Sequence, residues 1–186
     1  MKRRSLIATS VIAAGISVLF VWNGRNVGKV RDSYRGVQVY DNGVFFFRSH
    51  GKHYSDDGYY YGQKWQCIEF VKRFYYEARK HKMADGMGHA MTFFDEQLPH
   101  GGLNQRRGLI QFRNGSEDKP RPEDLIVFTD TKYGHVAIIT QVSAASLEII
   151  QQNIMGNTRQ SFNLMATNGH YFVTAPRKPA GWLRSP

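Results

Sequence analysis

The chain has 186 residues, 41% of them hydrophobic, with 25 Lys and Arg against 15 Asp and Glu, a formal net charge of +10 and one cysteine. That length supports one compact domain with a real core, and a lone cysteine excludes an internal disulfide framework. Basic residues scattered without a reading motif argue against nucleic acid as partner, and histidines out of ligand spacing with carboxylates argue against a metal site.

Taken in chain order, Met1-Lys2-Arg3-Arg4 is a basic n-region, and Leu6 to Trp22 is uncharged and mostly apolar. Residues 1–22 therefore read as a signal anchor or a signal peptide, with a buried core helix as the alternative. Leu19-Phe20-Val21-Trp22-Asn23 lacks a small-residue cleavage pattern, which favours the uncleaved anchor. Residues 23–35 read as a basic linker and 36–186 as one domain. Gly36 to Phe47 is expected to form strands around an Asp41-Asn42-Gly43 turn, and Ser49 to Lys64, rich in Tyr, Gly, Asp and His, a surface loop.

From Cys67 the apolar residues Val71, Phe74 and Ala78, flanked by Ile68 and Tyr75, follow helical spacing. The exposed face of that helix is assigned Lys72, Arg73, Arg79 and Lys80, the last two suiting its C-terminus. A second helix is expected over Ala84 to Phe94, a loop over 101–108, a Pro- and charge-rich connection over 113–123, and strands through most of the remainder. The sum is an α+β fold with helices packed on an antiparallel sheet.

Cys67 stands where a loop enters the helix, and there the unpaired N–H groups and the positive end of the macrodipole favour the reactive thiolate. An inert, packed cysteine is the competing reading. Tyr133 to Asn153 reads as a β-hairpin with His135 at the head of its first strand. With the turn near Ala144 and Ala145, His135 lies opposite a position around Asn153, so Gln151 and Asn153 are the candidates to orient the imidazole. Cysteine on a helix, histidine on a strand and an amide on the paired strand is the layout of a papain-like thiol hydrolase.

The run Trp65-Gln66-Cys67-Ile68-Glu69-Phe70, the block Phe112-Arg113-Asn114-Gly115-Ser116, Pro120 and Pro122 ahead of Asp124 to Phe128, and Gly134-His135-Val136-Ala137-Ile138-Ile139 together resemble a CHAP domain. These are cysteine, histidine-dependent amidohydrolases and peptidases, and the likeness is greatest to the amidase domain of bifunctional glutathionylspermidine synthetase/amidases. It runs from about Gly36 to Trp182. The resemblance implies a papain-like fold, no cofactor, Cys67 as nucleophile and His135 as general base. The family's third member, commonly a glutamate, aligns with Gln151, and Asn153 matches a nearby asparagine that joins the site. Gln66 and the Cys67 backbone N–H are the candidate oxyanion-hole donors.

Three functions follow as expectations. One is an amidase or peptidase cutting peptidoglycan peptides, anchored in the inner membrane with its catalytic domain in the periplasm or exterior, or secreted if the N-terminal segment is cleaved. Another is an amidase for glutathionylspermidine-like conjugates. The third is a weakly active domain that binds cell-wall peptides, with Gln151 in place of a carboxylate as its cause. The expected partners are a peptide or amide substrate and, through the N-terminal segment, a membrane.

Overall fold

A computed structural model describes residues 26–45, 47–83 and 88–186. The expected anchor over residues 1–22 lies outside them, and among the described residues no helix is long and apolar enough to cross a membrane.

The first strands among the described residues form two small antiparallel hairpins, β1 (Val30–Tyr34) with β2 (Val37–Tyr40), and β3 (Lys52–Tyr54) with β4 (Tyr60–Gln63). These correct three expectations. The stretch read as linker supplies β1. The first turn falls at Arg35-Gly36, both at positive φ, rather than at Asp41-Asn42-Gly43. The stretch read as a loop before Cys67 is itself a hairpin. After helix α1 (Cys67–Arg79) comes a 3-10 turn, Ala90–Phe93, where the second helix was expected; residues 84–87 of that expectation lie outside the described ones.

The remaining strands are β5 (Gly102–Asn104), β6 (Leu109–Arg113), β7 (Leu125–Phe128), β8 (His135–Val142), β9 (Ser146–Ile150), β10 (Arg159–Thr167), β11 (His170–Thr174) and β12 (Pro179–Arg184). They build one antiparallel sheet in the order β11-β10-β9-β8-β7-β12-β6-β5. Alternation of side chains along β7, β8 and β12 divides the core between the two faces. Leu125, Val127, Val136, Ile138 and Leu183 pack with Phe70, Val71 and Phe74 of α1, while Ile126, Ala137, Ile139 and Trp182 pack with Phe162, Leu164 and Val173. The α+β expectation therefore holds, with one α-helix rather than several among the described residues.

A 13-residue helix is marginal alone in water, so docking rather than propensity maintains α1. Phe70, Val71, Phe74 and Tyr75 are almost wholly buried, each side chain contributing on the order of 2 kcal/mol. Lys80 closes the helix in the left-handed conformation, its N–H returning to the Tyr75 and Tyr76 carbonyls.

Lys72 and Arg73 are not on an exposed face: they keep only 1% and 3% of their accessible surface. The β1–β2 and β3–β4 hairpins lie against that side of α1 and supply what the two cations need. Lys72 Nζ donates to the Tyr60 carbonyl at 2.6 Å. Arg73 donates Nε to Glu69 Oε1 at 2.5 Å and Nη2 to the Gln38 carbonyl at 2.7 Å.

Glu69 is fully buried and also accepts from His53 Nδ1 at 2.8 Å and from Gln152 Nε2 at 2.6 Å. Burial works to raise its carboxyl, but the His53, Arg73 and Gln152 bonds outweigh it and hold the group below its ordinary value. Removing the carboxylate strands Arg73 in the interior. Glu69→Ala is therefore expected to lower unfolding free energy by about 3–5 kcal/mol, read by urea denaturation; a change below about 1 kcal/mol would refute the buried ion pair as a structural tie.

Candidate functional site

Cys67 is the first residue of α1, preceded by Gln66 in extended conformation. Its thiol, 8% exposed, meets the backbone N–H of Val136 on β8 as well as its own N–H and that of Ile68. The sulfur thus sits against β8 one residue from His135. Burial pushes the thiol up from its ordinary value, and the three N–H groups and the Arg177 charge offset this only in part.

His135, 6% exposed, heads β8. Its position depends on Gly134 at φ +67, where a Cβ would lie 2.4 Å from the Met91 N and 2.7 Å from the Phe128 carbonyl oxygen. Only glycine brings the chain this close to the 3-10 turn.

His135 Nε2 and Gln151 Oε1 are 2.9 Å apart. The amide oxygen accepts, so Nε2 carries the proton and Nδ1 is left as the base. Gln151 Nε2 faces Gln160 Oε1 at 3.4 Å, in keeping with that orientation. Of the two orienting candidates, Gln151 is the one hydrogen-bonded to the imidazole.

A bulge decides which residues following β9 share the face of His135. Near the turn β8 and β9 pair Val142 with Leu147 and Gln141 with Glu148, but beyond Thr140 the register shifts to Ile139 with Ile149 and Ile138 with Ile150. The shift returns residues 149 and 151 to the face of His135. Without it Gln152 would occupy that face.

Asn153 lies at φ +63 and turns away from the imidazole. It accepts from Asn42 Nδ2 at 2.6 Å and donates to Gln66 Oε1 at 2.5 Å. Gln66 Nε2 in turn donates to the Arg48 carbonyl at 2.8 Å. The candidate oxyanion donor is thus held by the Asn153 side chain, itself fixed by Asn42, and by the Arg48 carbonyl.

Glu69, Gln152, Asn42, Asp130 and Arg177 surround these residues, and the sequence reading gave none of them a role. Only Glu69 carried a signal, an acid four residues ahead of Arg73. The others are brought in by strand order.

His135 is pushed down to about 4, first by burial and then by the Arg177 charge, against smaller opposing effects of Gln151 and Asp130. Burial thus works against the charged form of both Cys67 and His135.

The CHAP domain family matches residues 56–153, more than half of the chain. The chain belongs to the CHAP domain family. Members are cysteine, histidine-dependent amidohydrolases and peptidases, and this chain is an enzyme of that class. A bifunctional glutathionylspermidine synthetase/amidase of Escherichia coli (strain K12) is 34% identical over 125 residues, 63% of this chain and 19% of that protein. A trypanothione synthetase of Crithidia fasciculata is 30% identical over 120 residues, 63% and 18%. A glutathionylspermidine synthase of the same organism is 31% identical over 98 residues, 50% and 14%. The CHAP chain spans less than a fifth of the length of each of these relatives.

Burial of a neutral His135 has a consequence for stability. Between its ordinary value of 6.5 and about 4, the unfolded CHAP chain binds a proton that the folded one refuses. Stability contributed by this group is present above about pH 6.5 and is lost as pH falls toward about 4, up to ~3 kcal/mol in all. Comparing urea midpoints of wild type and His135→Leu at pH 7 and pH 5 checks this: the wild type should lose more stability on acidification than the variant.

Proposed function

We propose that the protein is a thiol amidase that cleaves its substrate through an acyl-enzyme on Cys67. The observation that carries this is the His135–Gln151 bond at the head of β8, beside the strand N–H that receives the Cys67 sulfur. His135 Nδ1 takes the thiol proton as sulfur attacks the amide carbonyl. Gln151 keeps the other ring nitrogen protonated and the ring in register. The Gln66 side chain and the Cys67 N–H supply hydrogen bonds to the oxyanion. Collapse expels the amine, which receives the proton from His135, and a water deprotonated by the same imidazole hydrolyses the thioester to acid and free thiol.

For the substrate, the relatives' names favour amides of the glutathionylspermidine kind. A second reading, peptidoglycan peptides processed outside the inner membrane, is favoured by Met1-Lys2-Arg3-Arg4 and the apolar stretch Leu6 to Trp22. Full-length wild type and Cys67→Ala are incubated with glutathionylspermidine and with purified peptidoglycan, and the products read by mass spectrometry. Spermidine released only by the wild type is the expected outcome; muropeptides instead would select the wall reading. Failure on both, with Cys67 alkylated no faster than free cysteine, would leave a peptide-binding domain.

Gln151 is neutral where a carboxylate would stabilise the imidazolium more strongly. Gln151→Glu is expected to raise the His135 value and to speed iodoacetamide labelling of Cys67 at pH 6 by at least about threefold. An unchanged rate would show that Gln151 does not govern the ionisation of His135.

A further inference from the structure

Arg177 lies on the connection between β11 and β12, far along the chain from Cys67 and His135. Its guanidinium donates Nε and Nη2 to Asp130 Oδ1 at 3.2 and 2.9 Å, and Nη2 to Thr131 Oγ1 at 3.2 Å. It also stands over the Phe128 ring, 5.6 Å from the centroid, and the same ring lies 6.2 Å from the His135 imidazole. Phe128 is thus a shared neighbour of guanidinium and imidazole. The Arg177 side chain remains 37% exposed, and no hydrogen bond engages its Nη1 among the described residues. The Nη1 of a fixed guanidinium is left for an incoming acceptor.

This placement acts on both groups, favouring the Cys67 thiolate and disfavouring the His135 imidazolium. The Arg177 charge opposes the imidazolium that His135 must become, and Asp130 relieves that only in part. A second anion against the guanidinium would complete the neutralisation and make His135 a stronger base at the moment substrate is present. With Nε and Nη2 serving Asp130 and Thr131, Nη1 is left to give a charge-assisted hydrogen bond, for which a carboxylate oxygen is the strongest acceptor common on a peptide or amide.

We infer that Arg177 is a specificity residue that receives a carboxylate of the substrate at its Nη1 while Asp130 and Thr131 hold its Nε and Nη2. This rests on the amidase reading above. Both substrate classes considered there offer such a group, the free α-carboxylate of a γ-linked glutamyl residue. The inference concerns that shared chemistry.

The test uses the full chain as wild type, Arg177→Gln and Arg177→Lys. Turnover is compared for glutathionylspermidine and for a disaccharide peptide, each with its glutamyl α-carboxylate free or converted to the primary amide. Whichever scaffold is cleaved identifies the source. On it the wild type should favour the free carboxylate by about tenfold or more in kcat/KM, mostly through KM. Arg177→Gln should bring that ratio close to one, and Arg177→Lys should retain part of it. A wild type indifferent to capping, or an Arg177→Gln that slows both forms equally, overturns the inference.

A second readout needs no turnover, and so separates failure of this inference from failure of the amidase reading. S-methylglutathione and L-alanyl-γ-D-glutamate, each free and as its glutamyl α-amide, are tested for protection of Cys67 against iodoacetamide. Protection by the free acid of at least one, lost on capping and lost in Arg177→Gln, supports the carboxylate site even if no amide is cut. Equal protection by acid and amide, or none by either acid, counts against it.

Discussion

The buried Glu69 carboxylate is the constraint on which the arrangement of this CHAP domain depends. One side chain in the first turn of α1 binds Arg73 of the same helix and His53 of β3. It also binds Gln152, which accepts from the Tyr40 N–H of β2 and donates to the Gln66 carbonyl just before the cysteine. An acid in that position is tolerable only if every partner is in place, because an uncompensated charge in the interior costs several kcal/mol. The network therefore favours one mutual placement of the helix start, the two small hairpins and the end of β9. Cys67 and Gln151 lie within two residues of its members.

The two reacting side chains of the proposed site are enclosed by the surrounding strands and helix. Cys67 and His135 are both buried, and burial favours the uncharged form of each. The helix N-terminus and the Val136 N–H assist the thiolate without overcoming desolvation. An amide rather than a carboxylate meets the imidazole ring. Polar support around Gln66 is separate: Asn42, Asn153 and Arg48 orient its side chain. Gln151 and Asn153, two residues apart, consequently serve different parts of the site.

Much of this was legible in the residues. The helical spacing from Cys67, the strand beginning at His135 and the turn at Ala144-Ala145 are local patterns, and each stands where the periodicity put it. The exposed face of α1 was misread because Lys72 and Arg73 are ordinary surface residues by composition; only the two hairpins laid against them explain their burial. The choice between Gln151 and Asn153 was equally out of reach. Both have the parity of His135, and they differ because Asn153, at φ +63, is held by Asn42 and Gln66, contacts that lie far off in the chain.

The sequence by itself determined the class of chemistry: a single thiol at a helix start, a histidine at a strand start, and amide side chains at the matching end of the next strand. Each is a short-range feature set by local periodicity and turn residues, and only the histidine and the amides lie within about 20 positions of each other. Tertiary structure alone decided how they are charged and what surrounds them. The C-terminal strand β12 inserts between β6 and β7, and the chain leading into it brings Arg177 beside Phe128 and Asp130. Desolvation and charge act through space, so a residue more than a hundred positions from Cys67 bears on its ionisation, and no local pattern in the chain encodes that distance.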